Sequence, residues 1–370
     1  MLTYIIPFII LILVVVFIHE YGHYYFAKKY GVGVTDFSIG FGSEIFGWND
    51  KSGTRWKICW IPLGGYVKFF GDRNVYSQAD QKEILNKYSK EDQEKLFVLK
   101  PLYQRVLIVF AGPLANFLLA IAIFFSIYTF IGKDFTPAVI NEVQNESPAM
   151  IGGLNQNDII LEIDGNKVVS ILDVSKFITT STGEFITFKV ERFDQEYLLK
   201  VKPNIVLSDD NLGNKVNKRM VGIKLGAYNN EINHVKLGPA QALIHSLKEV
   251  YFVSVSSLKY IGSMLKGTGD SSQLGGPIRI AKITGQVAEI GILPFISIMA
   301  YISISLGLIN LFPIPMLDGG HLMFYAFEKF LGRPLSQKTQ EGFFRIGIFL
   351  LLSLMFFTTF NDLKDLGLFN

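Results

Sequence analysis

Residues 4–27 read YIIPFIILILVVVFIHEYGHYYFA, an apolar run carrying His19, Glu20 and His23 near its end. A stretch of this length crosses a hydrocarbon core of ~30 Å at 1.5 Å per residue. With no water to satisfy its backbone there, it must be a helix. Each ionisable group inserted into such a helix costs roughly 2.5–3.5 kcal/mol, so three together call for a function. No basic residue precedes the run and no small-residue cleavage site follows, which reads as a retained span and not a signal peptide.

Three further apolar runs, 105–131, 291–312 and 343–360, are also long enough to span. A chain that is 49% hydrophobic and 14% aromatic fits a membrane protein with a soluble portion. The net charge of +3, without a Lys/Arg block, is too small to argue for nucleic acid, and none is expected as a partner. Cys59 is the single cysteine, which rules out an internal disulfide and a cysteine zinc site. Lys28 and Lys29 follow the first span, and Lys329, Arg333, Lys338 and Arg345 separate the last two. The positive-inside tendency then places the N-terminus outside and both basic loops in the cytoplasm. Spans one and three consequently end on the same side. Residues 237–266 are helical in period but interrupted by His245, Lys248, Glu249 and Lys259, as in an amphipathic helix at the membrane surface. Were this segment a fifth span, Asp318 would emerge on the side opposite His19.

The expected fold is a polytopic α-helical membrane protein of about four spans, with membrane-associated β segments and an inserted PDZ-like α/β domain. Residues 1–131 form the first half of the membrane core, with β segments at 34–70 that alternate and carry Gly-Gly. The charged stretch 72–100 reads as a solvated cytoplasmic loop. In 132–206, AVINEV and DIILEI are strand-like, Asp164-Gly165 is a turn, ILDVSKFITTS is a short helix, and FITFKVERF with EYLLKVKP makes a hairpin. That order resembles a PDZ domain, a fold that captures extended peptide ends by strand addition. Residues 207–290 read as a linker strand region followed by the amphipathic helix, and 291–370 as the second half of the membrane core.

His19 and His23 stand at i and i+4, on one helix face and within reach of one ion, with Glu20 beside that face. HExxH has this logic: two neutral imidazoles hold a metal and the carboxylate takes a proton from water. The non-enzymatic alternative is a polar cluster that glues helices together. A catalytic zinc usually takes a third protein ligand. NLFPIPMLDGGHL (310–322) follows the third span and offers Asp318, with His321 as the substitute. Pro313 and Pro315 break the helix at a similar depth and free the chain to aim Asp318. The plainer reading of Asp318 is a turn residue before Gly-Gly.

HEYGH, NLFPIP, LDGG, GFG (40–42), LGGYVKF (63–69) and RVLIVFAGPLANFLLA (105–120) together resemble the site-2 protease family, and within it the bacterial sigma-E-regulating intramembrane metalloproteases. The resemblance covers almost the whole chain. It implies Zn2+ held by His19, His23 and Asp318, with Glu20 as catalytic base and Asn310 on the substrate backbone. The β segments around Gly40, Gly42, Gly64 and Gly65 would offer edges to an unwound substrate. Asn310 reads equally well as a helix C-terminal residue satisfying freed carbonyls. Gly112, Ala115 and Asn116 read as a close-packing face against the metal-bearing helix. The implied partners are the lipid bilayer, a single-span membrane protein already trimmed outside, such as an anti-sigma factor, and a peptide C-terminus at the PDZ-like domain. The implied location is the bacterial inner membrane, with that domain in the periplasm. Relatives of this type carry two tandem PDZ domains, whereas the sequence here has room for one. The rival readings are a PDZ-bearing scaffold with a structural metal, and an ion carrier; no internal repeat supports the second.

Overall fold

The computed structural model describes residues 2–71, 88–209, 215–227, 233–267, 269–271 and 274–365. Among these, four helices are long and apolar enough to cross a membrane: α1 (Leu2–Lys29), α2 (Leu102–Ser126, continued by a π turn to Ile131), α6 (Ile292–Asn310) and α8 (Gln337–Asp365). They coincide with the four apolar runs. The segment 237–266 is a helix, α4 (Pro239–Leu265), and is not among the four. Two compact units divide the chain, one within 1–123 and 275–363, the other within 124–274 and 364–370.

In the first unit, α1 packs against α6 through Leu11, Val15, Phe295 and Met299. Val34–Asn49 (β1) and Arg55–Phe69 (β2) form an antiparallel ribbon that returns along α1. The fully buried Phe37 ring stacks on Trp56 at 4.2 Å between centroids. The ribbon's register breaks between Ile39 and Phe46, and Gly40 and Gly42 there hold φ of +88° and +87°, where a side chain would be strained. At the ribbon's turn, Asp50 accepts from Ser52 N and Oγ, Thr54 N, Trp56 Nε1 and Tyr24 Oη at 2.7–3.1 Å. Burial pushes the Asp50 carboxyl up, but these donors outweigh it and hold the group well below the ordinary carboxylate range.

The stretch 72–100 is not a uniformly solvated loop. Leu96, Phe97 and Val98 are buried in a cluster with Ala27, Val34, Ile108 and Tyr325, because three consecutive apolar residues close that end of the core. Residues 72–87 lie outside the described segments. A further helix, α5 (Pro277–Ile290), lies where the sequence suggested a linker, and it belongs to the helical unit. Its first N–H groups are satisfied from the far end of the chain. Asp362, fully buried on α8, accepts from Gly276 N (2.8 Å), Ile278 N (3.0 Å) and Arg279 N (3.1 Å).

The second unit is built on a six-stranded antiparallel sheet. Its order is β11 (Ile223–Ala227), β4 (Ala138–Val143), β5 (Ile159–Ile163), β7 (Ile186–Arg192) and β8 (Gln195–Val201), with β6 (Asn166–Lys167) paired to β5. Its core includes Ile140, Ile160, Ile163, Phe188 and Val190. Helix α3 (Ile171–Thr180) opens with a Ser170–Asp173 capping box and adds Val174, Phe177 and Ile178 to that core. The sheet does not end at 206: β11 returns to pair along β4, because Ile223 and Leu225 have an apolar surface to meet there. Between them, β9 (Asn204–Asp209) and β10 (Lys215–Met220) form a separate hairpin, and β3 (Lys133–Asp134) pairs with β12 (His234–Val235). Helix α4 is clamped to α3 by Lys176 and Glu249, at 2.6 Å, and by Phe252 against Phe177.

Candidate metal centre

One turn of α1 separates His19 from His23, which puts both rings on one face with their Nε2 atoms 3.2 Å apart. The third member comes from the other end of the sequence. Asp318 is the first residue of α7 (Asp318–Leu331), just after the Pro313–Pro315 break. Its Oδ2 lies 3.2 Å from His19 Nε2 and its Oδ1 3.4 Å from His23 Nε2. Ligands at ~2.1 Å on the corners of a tetrahedron are about 3.4 Å from one another. The observed edges are those of such a site. Oδ2 of Asp318 is buried and accepts no hydrogen bond among the described residues. A buried carboxylate that faces two imidazole nitrogens and has one oxygen orphaned is costly unless a cation stands between them. The donor set, two nitrogens and one oxygen, suits a divalent transition metal and zinc in particular.

The surrounding groups set the tautomers. His23 Nδ1 lies 2.9 Å from the Ile108 carbonyl oxygen; a carbonyl only accepts, so Nδ1 carries the proton and Nε2 is bare. Asn116, fully buried on α2, lies with Nδ2 3.2 Å from His19 Nδ1 while its Oδ1 has no partner among the described residues. With the amide turned over, His19 Nδ1–H donates to Oδ1, and Nε2 is freed for the ion. The small residues of α2 permit this approach. A Cβ on Gly112 would fall on His23 Nε2, and one on Gly22 of α1 would fall on the Ala111 carbonyl. The sequence marked Asn116 as packing. Its place against His19 Nδ1 was invisible without the fold, as was that of the Ile108 carbonyl against His23.

Glu20, 9% exposed, lines the same cleft of about 580 Å³. A Cβ on Gly65 would come within 3.0 Å of Glu20 Cγ and 2.7 Å of the Ser38 carbonyl oxygen, so a glycine lets β2 lie against the carboxylate. Gly64, Tyr66 and Val67 continue that wall. Asn310 ends α6 in the cleft, with Nδ2 3.5 Å from His19 Nε2. Gly40 and Gly42 are not brought to the cleft; they stand at the ribbon's register break. His321 lines the cleft wall one turn beyond Asp318 but is not in the ligand cluster. Burial pushes its imidazole below the ordinary histidine range.

The family model described as peptidase family M50 matches residues 7–354. A provisionally named zinc metalloprotease of Agrobacterium fabrum is 41% identical over 98% of this chain and 96% of its own length. One from Rhizobium meliloti, also provisionally named, is 39% identical over 98% and 97%. The metalloprotease MmpA of Caulobacter vibrioides is 34% identical over 96% and 94%. These matches run almost end to end, through both His19–His23 and Asp318, and the chain belongs to peptidase family M50.

Proposed function

We propose that the protein is a zinc endopeptidase that hydrolyses a peptide bond inside, or at the edge of, a membrane-spanning helix of its substrate. The observation that carries this reading is the convergence of His19, His23 and Asp318 at tetrahedral spacing in one cleft with Glu20. Bound zinc supplies a Lewis acid and lowers the pKa of water to about 7. Glu20 takes the proton of the attacking water and returns it to the departing amide nitrogen. Asn310 Nδ2 donates to the carbonyl oxygen of the bond being cut, where negative charge develops. The β2 backbone at Gly64–Val67 holds the substrate as an added strand, which requires its helix to unwind before attack.

The second unit is read as a PDZ-like domain. Its support is the order of strands and α3, and the position of β11 at the sheet's end beside α3, where an extended peptide C-terminus adds as a strand. Basic loops after the first span and before the last support a bacterial inner-membrane orientation with this domain in the periplasm. The substrate class is a single-span protein, such as an anti-sigma factor, already cut on the periplasmic side.

Cleavage of a single-span reporter by reconstituted protein tests the reading. Glu20→Gln should retain zinc and lose cleavage by 100-fold or more. Cleavage at the wild-type rate by a zinc-loaded Glu20→Gln would refute the assignment.

A further inference from the structure

We propose that Arg105 is a positioning residue for the metal centre, acting through Glu328 to fix the direction in which α7 presents Asp318. This inference rests on the metal-centre reading above. Asp318 sits on the first residue of a stiff rod of about 20 Å, so its aim is set by how the whole rod is held. At the near end, Gly319 lies against the carbonyls of Leu311 and Phe312, and a Cβ on Gly320 would come 2.5 Å from the Ile314 oxygen. These contacts fix a point near Asp318; beyond it Phe324 meets Phe343 and Phe344 of α8 and Tyr325 lies in the Leu96–Val98 cluster, so the tilt about that point is set by what holds the rest of the rod.

The far end is held by Arg105. Glu328 stands ten residues beyond Asp318, about 15 Å along the axis. Both of its carboxylate oxygens accept from the Arg105 guanidinium, at 3.0 Å and 2.5 Å. Arg105 is 5% exposed, its Nε donates to the Lys100 carbonyl at 3.1 Å, and its guanidinium carbon is 5.1 Å from the centre of the Tyr325 ring. One side chain thus grips two positions of α7 separated by one turn, and the planar fork leaves little rotational slack. About the fixed point the Asp318 carboxylate has an arm of only ~3 Å, so it moves by ~0.5 Å, the tolerance of a functional site, when the rod tilts by about 10°, a shift of roughly 2.5 Å at Glu328. Arg105 belongs to α2, the helix that also carries the Ile108 carbonyl and Asn116. The imidazoles and the carboxylate, from opposite ends of the sequence, are therefore referenced to one element. A buried ion pair is a poor source of net stability, and direction is what this one supplies.

The test is cobalt substitution of the full-length protein in detergent, read by the visible absorption of four-coordinate Co2+ and by chelator competition. Glu328→Gln, which keeps the side-chain shape, should weaken Co2+ binding by roughly 10–100-fold and diminish the absorption. In the reporter assay it should lower kcat with KM little changed. The exchange Arg105→Glu with Glu328→Arg should recover most of the binding. Glu249→Gln serves as the control, because its ion pair with Lys176 belongs to the second unit. The proposal is overturned if Glu328→Gln binds Co2+ as wild type does, or if Glu249→Gln loses it to the same extent. It also falls if the exchanged pair recovers nothing. Failure of the wild type to bind Co2+ would overturn both this proposal and the metal-centre reading.

Discussion

Replacing Gly112 by alanine sets two effects of opposite sign against each other. Alanine in place of glycine in a helix interior favours the fold by about 1 kcal/mol. The added methyl, however, lies on His23 Nε2 and Cε1 and 2.9 Å from His19 Cε1. Overpacking a tight site costs about 1–3 kcal/mol, so net stability changes by about zero to −2 kcal/mol, which a domain of 5–15 kcal/mol survives. The metal centre does not survive. His23 cannot retreat, because its Nδ1 is tied to the Ile108 carbonyl at 2.9 Å and its ring lies 4.8 Å from that of His19. Nor can α1 back away without opening the Gly22–Ala111 contact. The imidazole must therefore swing off Asp318, and zinc affinity should fall by more than the roughly 10–100-fold typical of an outer-sphere change. Gly342→Ala on α8 is the companion variant, since nothing stands within 4 Å of its new methyl. Thermal melts, zinc stoichiometry under chelator competition and reporter cleavage should show both variants folded and only Gly112→Ala inactive. Equal zinc retention and cleavage in the two would refute the reasoning.

Asn116→Leu should weaken zinc binding by about 10–100-fold in chelator competition, whereas Asn116→Asp, which keeps an acceptor for His19 Nδ1–H, should lose less. At Asp50 the folded-state pKa lies below the unfolded value of about 3.9. Its stabilisation is therefore present above about pH 4 and lost as pH falls through the folded value. Melting curves should show wild type more stable than Asp50→Asn at pH 6, with the gap closing on acidification. Prolonged chelation should abolish reporter cleavage, and added Zn2+ should restore it to wild type but not to His23→Ala.

The four long helices were legible because an apolar run of that length in lipid has one hydrogen-bonding solution. Asp318 was reachable for a related reason: Pro313 and Pro315 cannot continue α6, so the chain breaks there before α7 starts at Asp318. What escaped had its cause elsewhere in the sequence. Helix α5 begins at Gly276–Pro277 with no capping side chain of its own, and its acceptor is Asp362, 86 residues away from Gly276. Strand β11 extends the sheet only because β4 offers an edge, and Leu96–Val98 are apolar within a stretch whose overall charge suggested solvent. The glycines were half legible. Those at 64 and 65 reach the cleft, whereas Gly40 and Gly42 answer to the ribbon's register break.

The ligand cluster joins residue 19 to residue 318, and that separation has a consequence in time. Synthesis proceeds at roughly 5–20 residues per second, so about 300 residues take on the order of 15–60 s. Throughout that interval the nascent chain carries both imidazoles and Glu20 in the first helix but lacks the carboxylate that completes the site. A hydrolase that threads into the same bilayer as its substrates is thus inert until the last seventh of its chain is being made. Truncated products that stop before α7 would be harmless for the same reason.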